Sequence, residues 1–220
     1  MQLTSPKDQF VLDAYHAPAK GARKGGVVVI QEIFGITDHI RSISNRLAAA
    51  GYEALAPSMY DRMERGFEIK GAVDADAIQK GIKGVQASPW DQVAADVQAA
   101  IDALKPGPVF ITGFCWGGTV SWLAAARCTG LNASSSFYGS MIMQLLGEPP
   151  KTPTILHFGK NDASIPQENI DKIGAAAPTS PIYVYDAGHG FCREGSHDYN
   201  PAACDLAFER TIAHFAANSH

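Results

Sequence analysis

Positions 113–118 read Gly-Phe-Cys-Trp-Gly-Gly. Just upstream, KPGPVFIT (105–112) is a Pro/Gly turn feeding a short apolar run, the pattern of a buried strand. Just downstream, TVSWLAAARC (119–128) has the composition of a helix. A strand, a Gly-x-Cys-x-Gly turn and a helix in that order form a nucleophile elbow, the sharp turn that lifts one side chain above the edge of a sheet. Serine usually holds the central position, and here a cysteine does. The competing reading is a Gly-rich turn around an inert buried thiol.

The rest of the 220-residue chain bounds the choice. A chain of this length that is 46% hydrophobic and 18% charged has material for one large α/β domain spanning 1–220. A net charge of −4 without any Lys/Arg run excludes a nucleic acid or an anionic membrane as the expected partner. No run of uninterrupted apolar residues reaches the ~18 needed for a membrane span. The start, MQLTSPKDQF, lacks a basic stretch followed by an apolar one, so a cytoplasmic location is expected. Four cysteines stand at 115, 128, 192 and 204, with no CxxC pair and no metal-like spacing to histidine. Neither a metal nor a cofactor is expected. All four are read as free thiols, Cys128, Cys192 and Cys204 as small buried hydrophobes.

Apolar runs alternate with helical patterns. GGVVVIQEIFG (25–35) opens a strand buried on both faces, and 38–50 repeats apolar residues at helical spacing until Gly51. A strand at 52–60, a helix at 91–104 and strands at 131–139, 152–159 and 180–188 follow, with a short helix at 166–177. Asn200 and Pro201 suit the start of a final helix. Such alternation implies a mainly parallel sheet with helices on both faces. Residues 61–88, rich in charge and glycine and weakly periodic over 72–85, break the rhythm and read as an excursion over the sheet edge, a candidate lid.

In parallel sheets functional groups collect at the carboxyl ends of strands. That rule selects Glu32, Asp162 and His189. Cys115, Asp162 and His189 then follow the chain order nucleophile, acid, histidine of the α/β-hydrolases. Asp186 competes as the acid but reads better as a cap of the Gly188 turn. His157 lies inside a strand and reads as a hydrogen-bonded core histidine, and His16, His39, His197, His214 and His220 as surface residues. A thiol paired with histidine becomes a strong nucleophile, and a carboxylate fixes the histidine's tautomer and charge. The backbone N–H groups of Trp116 and Ile33 would hold the oxyanion. Glu32 is either a buried acid paired with an arginine or a functional group beside the thiol.

Taken together, QEIFGITDHIRSISNRLAAAGYEALAPSMY, GFCWGG, HFGKNDASIP and GHGFCR resemble the dienelactone hydrolase (carboxymethylenebutenolidase) family over nearly the whole chain. The resemblance implies an α/β-hydrolase fold and a triad of Cys115, His189 and Asp162 acting on a small ester or lactone through an acyl-cysteine. It also implies that Glu32 contacts the resting thiol and takes its proton when substrate binds. The family's substrates carry a carboxylate gripped by two arginines and a tyrosine. Arg193 matches one arginine by position, its alternative being a surface residue beside Glu194. Tyr60 is the candidate tyrosine, and Arg62 and Arg65 fall where the second arginine would be sought. A monomer or small homo-oligomer is expected. The rival reading is a redox-sensing or ligand-binding protein on the same fold, without turnover.

Overall fold

The centre of the sheet is β3 (Gly26–Ile30), whose Val27–Ile30 run is wholly buried, as a strand covered on both faces requires. The computed structural model describes residues 1–71 and 73–220; Ala72, where the weakly periodic stretch begins, lies outside the described residues. Beside β3 lie β4 (Glu53–Pro57) and β5 (Val109–Phe114), followed by β6 (Ala133–Phe137), β7 (Thr154–Gly159) and β8 (Ile182–Tyr185). These strands pair in parallel. At the other edge β2 (Val11–Ala17) joins β4 antiparallel and carries β1 (Gln2–Thr4) as a hairpin. The full order is β1-β2-β4-β3-β5-β6-β7-β8.

Side chains of β5 show how the helices cover both faces, because neighbours along a strand point opposite ways. Phe110 stacks on Phe215 of α6 (Pro201–Ala217) at 4.7 Å. Gly113, three residues on and therefore on the other face, lies under Ser121 of α4 (Trp116–Arg127). With α6 goes α1 (Asp38–Ala49), whose Arg46 pairs with Asp205 at 2.9 Å and covers the Phe208 ring. With α4 goes α3 (Trp90–Ala103), tied to it by the Arg127–Asp91 ion pair. The expected architecture is the one found.

Helix ends follow the sequence signals. Asn200 Oδ1 accepts the Ala203 N–H at 3.1 Å with Pro201 in the first turn, and Gly51 closes α1 at φ 94°. The excursion after β4 contains a helix, α2 (Ala75–Gln86), capped by Asp74 accepting the Ala77 N–H at 2.9 Å. Its underside is made of small residues. A Cβ on Gly81 would come within 2.6 Å of the Ile33 carbonyl oxygen, and one on Gly84 would strike the Tyr60 ring. The helix therefore lies directly on the segment that follows β3.

The expectation about the cysteines is overturned in part. Cys192 and Cys204 are joined in a disulfide instead of standing as free thiols. The chain folds back so that the loop after β8 meets the first turn of α6, bringing the two Cα atoms to 4.8 Å, well within bridging range. Cys115 and Cys128 are free. Cys128 is half-buried, donates weakly to the Ala94 carbonyl at 3.5 Å, and burial pushes its thiol up to about 12. Among the described residues no helix is long and apolar enough to cross a membrane.

Candidate active site

Cys115 sits between β5 and α4 at φ 56°, ψ −117°, outside the comfortable region for a non-glycine residue. The surroundings enforce that conformation. Its N–H donates to the Phe137 carbonyl at 3.0 Å, and its own carbonyl accepts from Gly118 and Thr119 at 2.9 and 3.3 Å. The glycines of the motif serve close packing: a Cβ on Gly113 would land on the Gly117 carbonyl, and one on Gly117 would press into the Ile30 and Gln31 carbonyls at 2.5 Å. Cys115 as a whole is half-buried at the sheet edge.

His189 comes from the turn after β8, and Asp162 from the loop after β7. The His189 Nδ1–H donates to Asp162 Oδ2 at 2.6 Å, and the other Asp162 oxygen accepts the Ser164 N–H at 2.8 Å. The carboxylate is buried, so this pairing fixes the ring's tautomer and leaves Nε2 for the thiol. Burial opposes the charged ring, but its hydrogen bonds to Asp162 and Cys115 outweigh that effect and push its pKa up to about 10. Asp186 lies elsewhere: its carboxylate accepts from Asn161 at 2.9 Å and its carbonyl from Asn200 at 3.2 Å. His157 is the core histidine expected, bonded to Tyr185 OH at 2.9 Å and Ser135 Oγ at 3.2 Å. The N–H groups of Ile33 and Trp116 donate to no other group among the described residues.

Glu32 is buried, and its Oε2 stands 3.8 Å from Arg193 Nε. That is an ion pair without a hydrogen bond, and both atoms are otherwise unpartnered. The Arg193 guanidinium lies over the Phe34 ring at 4.9 Å. Tyr60 is buried against Trp116 and Phe67 at 5.2 and 5.4 Å, its hydroxyl unpartnered; burial and the nearby Cys115 push its pKa upward. Arg62 is spent on Asp8 and Asp96, and Arg65 on the Val11 carbonyl and Asp61, so neither turns to the site. An open cavity of about 970 Å³ is lined by Phe34 and Arg193 but by none of Cys115, His189 and Asp162. Among the described residues no group of His, Cys, Asp or Glu is arranged to hold a metal ion.

Two residues were not anticipated. Tyr138, at φ 38° just after β6, packs edge-on against His189 at 5.1 Å with its hydroxyl buried and unpartnered. The strand-end rule applied to SSSFYG would have found it. His39, read as a surface residue, is instead half-buried, with Nε2 buried and unpartnered and its ring edge-on to Phe114 at 5.2 Å. Its position in the first turn of α1, facing the sheet edge, carries no motif.

Comparison with known proteins identifies the family. The profile of the dienelactone hydrolase family matches residues 12–219. The Salmonella typhimurium protein named "Putative carboxymethylenebutenolidase" is 35% identical over 228 aligned positions, covering 93% of this chain and 82% of that one. The crystal structure of a "Putative Dienelactone Hydrolase" from Klebsiella pneumoniae superposes with a TM-score of 0.85 at 30% identity, covering 98% and 97% of the two chains. A cold-adapted esterase from an Arctic intertidal metagenomic library shares the fold, with a TM-score of 0.73 at 15% identity over 100% of this chain and 93% of that one.

Proposed function

This chain belongs to the dienelactone hydrolase family and is a carboxylic ester hydrolase, and we propose that it cleaves small carboxylated esters or lactones through a thioester on Cys115. The observation that carries this reading is the 2.6 Å bond from His189 to the buried Asp162, beside a cysteine held at the elbow. A histidine whose protonated form is favoured can hold the proton that the reaction passes to the leaving group.

In this scheme Cys115 Sγ attacks the substrate carbonyl, and the N–H groups of Trp116 and Ile33 hold the developing oxyanion. His189 gives its proton to the departing alkoxide, leaving a thioester. It then takes a proton from water as that water attacks, and the thiol is released with the acid. Glu32 and Arg193 form a second proposed unit. An arriving carboxylate takes Arg193, with two guanidinium N–H groups well shaped for it, and frees Glu32 to accept the thiol proton and relay it to His189 Nε2, which then holds the proton that the alkoxide receives. Tyr60, with its unpartnered hydroxyl beside Cys115, is the proposed additional contact to substrate. The proposed lid is α2, which covers Ile33 and Tyr60.

Iodoacetamide labelling tests the reading. Turnover of p-nitrophenyl acetate should fall in proportion to label on Cys115. Full activity with Cys115 alkylated would remove it from the chemistry.

A further inference from the structure

We propose that Arg41 and Glu68 are positioning residues whose ion pair holds residues 31–35 where the Ile33 N–H reaches the oxyanion. The assignment rests on the role proposed above for Ile33. That segment starts on the elbow: a Cβ on Gly117, two residues after Cys115, would press against the Ile30 and Gln31 carbonyls. Gln31 is itself fixed, because its side-chain carbonyl accepts the Met59 N–H at 3.1 Å. The strand ends at Ile30, so the position of Ile33 depends on contacts outside the sheet.

The excursion after β4 supplies those contacts. The Ile33 carbonyl lies beneath Gly81 of α2, and the Phe34 carbonyl accepts the Ile69 N–H at 2.9 Å. Gly35 forms an isolated antiparallel bridge with Glu68, so tight that a Cβ on Gly35 would strike the Phe67 carbonyl. At its other end the segment runs into α1, with the Thr37 N–H donating to the Gly35 carbonyl at 3.0 Å. Arg41, near the start of α1, donates to both oxygens of Glu68 at 2.8 and 2.9 Å. The ion pair therefore closes a ring. Residues 31–35 lead into α1, α1 carries Arg41, Arg41 holds Glu68, and the backbone around Glu68 holds Phe34 and Gly35.

An exposed ion pair contributes little on average, but this one is bidentate and its carboxylate is half-buried. The Arg41 bond holds the Glu68 carboxyl below the usual carboxylate range, so both partners stay charged at neutral pH. Arg41 lines the 970 Å³ cavity, yet Glu68 and Asp38 take both its terminal nitrogens, which suits a fastener rather than a ligand for an anion. An oxyanion donor acts only when aimed at the developing charge. A shift of about 1 Å can cost on the order of a hundredfold in rate.

Two reactions of the same thiol test the assignment. The burst rate with p-nitrophenyl acetate needs an oxyanion donor, whereas alkylation of Cys115 by iodoacetamide, a displacement at a saturated carbon, does not. Both rates are measured in the native protein, Glu68→Gln, Arg41→Met, the double variant and Arg41→Lys. Each of the first two should slow the burst about ten- to a hundredfold and leave alkylation native. The double variant should be no slower than the slower single, because the pair acts as one unit, and Arg41→Lys should be intermediate. Glu68→Gln keeps the size and shape of the side chain, so it reports even where Arg41→Met folds poorly. A native burst in both single variants, losses that multiply in the double, or alkylation slowing in step with the burst would each overturn the positioning role and leave Cys115 as nucleophile. Native turnover in Cys115→Ala would overturn the proposed function, and this assignment with it.

Discussion

His189 Nδ1 lies 2.6 Å from Asp162 Oδ2, across a gap between two neighbouring strand ends and 27 residues of chain. Asp186 is far closer in sequence but spends its carboxylate on Asn161. Asp162→Asn should therefore lower kcat by about 10²- to 10⁴-fold, by leaving the ring in the wrong tautomer. Asp186→Asn should cost much less. Steady-state rates on p-nitrophenyl acetate decide, and a reversed order would mean that the acid is misassigned.

Glu32 is the second point of leverage. If it receives the thiol proton, Glu32→Gln should lower kcat/KM for a carboxylated lactone by roughly 10- to 100-fold and alter the pH profile of Cys115 alkylation. A variant with native turnover and a native profile would place Glu32 outside the proton path and leave it as a buried partner of Arg193.

Acid stability should depend on His157. Burial, reinforced by the charges of Arg210 and His214, lowers its pKa to about 3, against about 6.5 in the unfolded chain. The unfolded state therefore binds the proton first, and stability is lost as pH falls from about 6.5 toward 3. The loss attributable to this residue is about 2 kcal/mol between pH 7.5 and pH 5. Urea unfolding of the native protein and of His157→Gln at both pH values should show the gap between them narrowing by that amount at pH 5. An unchanged gap would mean that the ring takes up protons inside the fold.

The Cys192–Cys204 bridge closes a short loop, with a sequence separation of 12, between the turn carrying His189 and Arg193 and the start of α6. Its removal in Cys204→Ala should lower stability by about 3 kcal/mol, the loop-entropy estimate for that length. Denaturant midpoints of the variant and of the oxidised native protein measure it, and equal midpoints would show that the bridge contributes nothing to stability.

Much of the fold was legible because strand and helix periods alternate cleanly from Gly25 onward and the elbow motif fixes where the strand ends lie. The same rule picked out Glu32, Asp162 and His189, which the structure gathers along one edge of the sheet. The hairpin of β1 and β2 was not read, because three- and seven-residue strands at the sheet edge give too little pattern. The disulfide was not legible either, since its partners face each other only after the loop beyond β8 folds back on α6. His39 was passed over for a similar reason: one histidine in a helix's first turn is polar in sequence and buried only by what packs over it.

The central claim is that Cys115 carries the acyl group. Rapid acid quench of the protein with excess p-nitrophenyl acetate, followed by peptide mass spectrometry, tests it most directly. The account predicts an acetyl-sized increment on the peptide containing Cys115, formed in a burst with p-nitrophenolate and absent in Cys115→Ala. Native turnover in Cys115→Ala, or a burst whose acetyl group sits on another residue, would contradict it.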